Sequence, residues 1–86
     1  MTNNNELMQM IFKIQAFWDN EAEVWVATSE DVPGLVTEAS SIEILTQKLR
    51  EIIPELIISN GIVARDYVGS ITFELTSHRQ ELIKVA

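Results

Sequence analysis

Residues Val24 to Leu35, Val-Trp-Val-Ala-Thr-Ser-Glu-Asp-Val-Pro-Gly-Leu, limit the possible folds more than any other stretch of this chain. The run opens with β-branched and aromatic residues in quick succession, which favours a strand, and it ends in Pro33-Gly34, which forces a turn. Pro33 has no N–H to give a sheet. Gly34 can take the positive φ required at the third position of a type II turn. A strand that stops this sharply needs neighbours to pair with, and both flanks supply them.

Upstream, Met10 to Asp19 alternates. Phe12, Ile14, Ala16 and Trp18 share one face, and Ile11, Lys13, Gln15, Phe17 and Asp19 share the other. The first face carries no charge and is the core side. Asn20-Glu21-Ala22-Glu23 is a polar turn, so Met10–Asp19 and Val24–Ser29 form a hairpin. Downstream, Leu35–Ala39 resumes as a third strand, and an antiparallel meander is the economical arrangement.

A helix follows. Ser40 with Glu43 three residues on has the spacing of a capping box. Ile42, Leu45, Leu49, Ile52, Ile53, Leu56 and Ile57 step by three and four along one stripe. Pro54 falls inside the stripe and costs on the order of 3 kcal/mol in a regular helix. The stripe keeps its phase across Pro54, which predicts one kinked helix that ends at Asn60-Gly61 in a left-handed cap. Ile62–Gly69 is a connection with Arg65 and Asp66 at its tip. Ser70–Thr76 is a fourth strand, and His78–Ala86 is a tail in which a helical turn docks Leu82 and Ile83. The predicted fold class is α+β: β-β-β-α-β, an antiparallel sheet covered on one face by one helix. Residues 1–86 form a single domain with tails at 1–8 and 79–86. The uncovered face keeps Ile11, Phe17 and either Trp25 or Val24 and Val26, which predicts a homodimer joined by that face or by a sheet edge.

Composition excludes several functions. With 13 acidic against 6 basic residues the net charge is −7, and the cations are scattered, so direct nucleic-acid binding is not expected. There is no cysteine, which removes disulfides, thiolate nucleophiles and cysteine metal sites and fits a cytoplasmic protein. Residues 1–6 lack the cationic start and apolar block of a signal peptide, and no apolar run approaches the roughly 20 residues of a membrane helix.

No constellation points to an enzyme or a cofactor. His78 is the only histidine, and no Gly-x-Ser-x-Gly elbow accompanies it, so it reads as a surface residue at a strand end. Two acidic groups exist, Asp19-Glu21-Glu23 and Glu30-Asp31. The first solvates a hairpin turn, and two adjacent acids are a poor metal site. For Asp31 a structural role fits better, its carboxylate accepting backbone N–H groups of the turn it opens. Trp18 and Trp25 read as core or interface residues. No catalytic residue, metal ligand or cofactor site is expected. A residual metal-dependent nuclease or hydrolase using Asp19 and Asp31 stands as the alternative from another class, and an orphan structural homo-oligomer as a third.

The run Trp25–Leu35 resembles the HicB-like antitoxin superfamily, and most closely a branch of it known only as a domain of unknown function. The likeness continues through Thr37-Glu38-Ala39-Ser40-Ser41, the amphipathic helix, and Ile53-Pro54-Glu55-Leu56 to Asn60-Gly61, with Trp18-Asp19-Asn20-Glu21-Ala22 upstream. It covers about Ile11 to Gly61. The resemblance implies a β-β-β-α-β domain of degraded ribonuclease-H-like fold without catalytic acids. It also implies a function, to bind and block a small basic mRNA-cleaving toxin. It makes Trp25, Asp31, Pro33 and Gly34 the signature residues, and with Glu30 these form the expected partner-binding set. The chain departs from typical members in having Glu30 where they have proline and Ala39 where they have glycine. Residues 79–86 are too short for the DNA-binding module that usually follows the fourth strand.

Overall fold

The computed structural model describes residues 10–86, so the expectations for the N-terminal tail lie outside the described residues. Four strands and one helix follow in the order β1 (Ile11–Asp19), β2 (Val24–Thr28), β3 (Val36–Ala39), α1 (Ile42–Ser59) and β4 (Thr72–His78). They form an α+β fold whose sheet runs β3-β2-β1-β4.

The β1–β2 hairpin pairs antiparallel, with Ala16 opposite Ala27 and Trp18 opposite Trp25. Asp19 holds its turn. Its Oδ1 accepts the N–H groups of Glu21 and Ala22 at 3.0 and 3.2 Å, and its carbonyl accepts that of Glu23 at 2.7 Å. β3 adds antiparallel to β2, which completes the meander.

β4 departs from the expected antiparallel sheet. It pairs with β1 in parallel, Ile11 with Thr72 through Phe17 with His78, so the sheet is mixed. The reason is geometric. β3 runs in the same direction as β1, and an 18-residue helix about 27 Å long carries the chain back over the sheet. The next strand must then run the same way as β3 and β1, as in any strand–helix–strand crossover.

The core lies between α1 and one sheet face. Phe12, Ile14 and Ala16 of β1 and Ala27 of β2 are buried against Leu45, Leu49, Ile53 and Ile57 of α1. Ala16 and Ala27, paired across the ladder, make a shallow floor on which the helix lies, mainly over β2 and β3. The strip formed by Ile71, Phe73 and Leu75 stays only half-buried.

Both helix ends show how the chain satisfies its free backbone groups. The N-cap is Ser41, not Ser40: the Ser41 hydroxyl accepts the Ile44 N–H at 3.1 Å. This cap places Glu43 second in the helix, where its charge suits the positive helix end but no capping box forms. At the other end Gly61 adopts φ +72, its N–H bonds the Ile58 carbonyl, and the Ile62 N–H bonds that of Ile57. These two bonds define a Schellman cap, the left-handed ending expected at Asn60-Gly61. α1 runs unbroken through Pro54.

The C-terminal region also differs from expectation. β4 extends to His78, and residues 79–86 hold no helical turn. Leu82, Ile83 and Val85 are 87%, 79% and 92% exposed instead of docked.

Candidate functional site

The site is built where β2 leaves the sheet. After Thr28 the β2 backbone turns away, which leaves the Lys13 amide and carbonyl of β1 without strand partners. Two side chains replace them. Asp31 Oδ2 accepts the Lys13 N–H at 2.8 Å, and the Ser29 hydroxyl donates to the Lys13 carbonyl at 2.6 Å. Ser29 Oγ also accepts the N–H groups of Asp31 and Val32, at 3.0 and 3.2 Å. The Ser29-Glu30-Asp31 corner is thus a side-chain extension of the sheet ladder, and every backbone group it serves is paired.

This corner swings Val32 into the core, where it is fully buried. Val32 then opens the Pro33-Gly34 turn. Gly34 sits at φ +83 in the third position, and the Leu35 N–H returns to the Val32 carbonyl at 3.2 Å. The turn is tied to the helix end, since Asn60 Nδ2 donates to the carbonyls of Pro33 and Leu56 at 3.2 and 2.8 Å.

On the open side, Lys13, Gln15, Thr28, Ser29, Glu30 and Asp31 line a depression of about 320 Å³. The Ser29 hydroxyl is committed to three backbone groups, and His78 is not among the residues that line the depression. His78 is exposed at the end of β4 and stacks on Phe17, ring centroids 4.8 Å apart.

Of the five residues expected to contact a partner, the fold brings Glu30 and Asp31 together at this depression, with Pro33 and Gly34 on the adjoining exposed turn. Trp25 is not with them. It lies on the helix-side face four residues before Ser29, edge-on to Trp18 at 5.3 Å. The Arg79 guanidinium lies 4.1 Å from the Trp18 ring centre and 6.0 Å from that of Trp25, closing the pair. Val24 and Val26 therefore take the open face beside Phe17, which is 46% exposed.

Asp19 and Asp31 stand at opposite ends of β1. Asp31 bonds at Lys13, six residues from Asp19, a separation of about 20 Å along an extended strand. A shared ion needs its ligands within a few ångströms, so these two cannot form a two-carboxylate centre. Among the described residues no three His, Asp or Glu side chains are grouped to hold a metal ion. No described helix is long and apolar enough to cross a membrane.

Asp31 does not bond within its own turn. That role falls to Ser29, which sequence reasoning passed over, although Ser-x-Asp before Pro-Gly has the form of a hydroxyl-held turn. Arg79 was passed over too, and only the three-dimensional arrangement brings it onto the tryptophans.

The sequence model of a domain of unknown function (DUF1902) matches residues 11–85. The chain is similar to a hypothetical protein from the extremely thermophilic bacterium Thermus thermophilus, known from a crystal structure. The two are 42% identical, the match covers 85% of this chain and 99% of the other, and the TM-score is 0.70. No curated protein matches the chain.

Proposed function

This chain belongs to the DUF1902 family of domains of unknown function, and on that footing we propose that it is a non-enzymatic, cytoplasmic protein-binding domain of the HicB-like antitoxin kind, working as a homodimer. It neutralises a small basic RNA-cleaving protein by covering its RNA-binding surface. The observation that carries this reading is the unpaired outward charge. All twelve described Asp and Glu residues are exposed, and the described residues contain a single ion pair, Arg79 with Glu81. The acidic excess of the described residues is therefore presented to solvent and not consumed in ion pairs among them. An RNA-cleaving protein needs cations to hold phosphates, and an acidic surface competes for those cations.

The contact falls on the depression at Glu30 and Asp31 and the turn at Pro33 and Gly34, while Trp25 acts from beneath as packing. The resemblance of Trp25–Leu35 to HicB-like antitoxins supports the same reading.

The test is growth. Cells expressing the partner this reading requires, a small basic RNA-cleaving protein, should stop growing, and co-expression of this chain should restore growth. Glu30→Lys, at an exposed site, should keep the domain folded and weaken protection, since it places a cation against a basic partner. Equal growth with and without this chain contradicts the antitoxin reading.

A further inference from the structure

We infer that the outer edge of β4, together with residues 79–86, is the docking surface for a second copy of this chain, the two β4 strands pairing antiparallel about Leu75. This deepens the homodimer reading above and is independent of any toxin.

The edge is open and regular. Thr72 donates its N–H to the Met10 carbonyl, so with the two-residue period Glu74, Thr76 and His78 also face β1. The amides and carbonyls of Phe73, Leu75 and Ser77 then point outward, unclaimed by the sheet. β4 is seven residues long, pairs without a bulge, and contains neither Pro nor Lys, the usual protections of an edge. The opposite edge, β3, is only four residues. On the helix side, Phe73 and Leu75 stay half-buried because α1 lies over β2 and β3.

The tail supplies a second, independent argument. Leu82, Ile83 and Val85 are almost fully exposed, and the family match runs through residue 85. An apolar groove of about 220 Å³, lined by Pro54, Ile57, Ile58, Val63, Tyr67 and Ile71, lies open on the helix side. That groove lies at the start of β4, whereas the tail leaves from its end, about 20 Å away along the strand. Arg79, stacked on Trp18 and ion-paired to Glu81 at 2.6 Å, holds the tail's root at the far end.

An antiparallel two-fold pairing resolves the mismatch. With Leu75 opposite the partner's Leu75, Arg79 falls opposite the partner's Ile71, and Leu82 and Ile83 reach the groove beside the partner's Tyr67. Charge agrees. Residues 79–86 hold two of the chain's six cations and one of its thirteen acids, so a cationic, apolar tail meets the acidic body of the other copy.

Sedimentation equilibrium of the full chain tests this with three exposed-site variants. The native chain should have twice its 9.8 kDa mass. Leu82→Glu combined with Ile83→Glu should raise the dimer dissociation constant at least tenfold. Thr76 faces the partner's Glu74 in this register. Thr76→Glu should therefore weaken the dimer by repulsion across the strands, and Thr76→Lys should preserve it. A monomer at high micromolar concentration overturns the inference and the homodimer reading together. A dimer indifferent to the tail variant and to both Thr76 variants overturns this inference alone and moves the interface to the open face.

Discussion

Replacing Ile53 by alanine is expected to cost about 3 kcal/mol and to bring the domain close to its unfolding threshold. Ile53 is fully buried in the row Leu45, Leu49, Ile53, Ile57, above the floor made by Ala16 and Ala27. A cavity there collapses poorly, because the alanines below have no side chain to move into it and Pro54 stiffens the backbone beside it. A domain of this size is stabilised by only about 5–10 kcal/mol in total, so the loss is a large fraction. Its melting temperature, followed by circular dichroism, should fall by more than about 10 °C. Ile44→Ala, on the exposed side of the same helix, should change it by a few degrees at most. Equal effects of the two substitutions would contradict the placement of the helix.

The second large effect is expected at the β2 corner. Ser29→Ala removes one donated and two accepted bonds at once and leaves the Lys13 carbonyl and the Asp31 and Val32 amides to find water. The cost is about 2 kcal/mol, since each such bond contributes roughly 1 kcal/mol net and these groups are near enough to the surface to be hydrated in part. Asp31→Ala removes the charge-assisted bond to Lys13 and costs about 1–2 kcal/mol. The two residues brace one corner, so denaturant melts of the double variant should show a smaller loss than the sum of the singles. An Asp31→Ala variant as stable as the native chain would mean that this carboxylate does not hold the fold.

Much of this arrangement could be read in the residues. The alternation Phe12, Ile14, Ala16 names the core face of β1, and the stripe from Ile42 to Ile57 names the buried side of α1, because burial imposes the period of each element. Pro33-Gly34 and Asn60-Gly61 specify their turns, because few residues accept positive φ. The failures have equally local causes. Ser40 and Ser41 are adjacent and both can cap, and only the path of the chain out of β3 chooses between them. The direction of β4 followed from the length of the helix and the direction of β3, a deduction that element assignment alone does not make. The docked turn at Leu82 and Ile83 rested on their hydrophobicity, which says that they want a partner and not where the partner lies. At the candidate site, the acids Glu30 and Asp31 were visible as a pair. The hydroxyl that organises them was not, since its three bonds run to backbone groups up to 16 residues away.

The proposal that this domain acts by presenting acid to a basic partner is tested most directly by a tagged pull-down of the full chain from its native host at low salt, eluted with rising salt. Exposed charge pairs weaken as the screening length shrinks from about 10 Å at 0.1 M to 3 Å at 1 M. The account predicts that one small basic protein is recovered near equal stoichiometry and released as salt rises. Recovery of this chain alone, at every salt concentration, would contradict it.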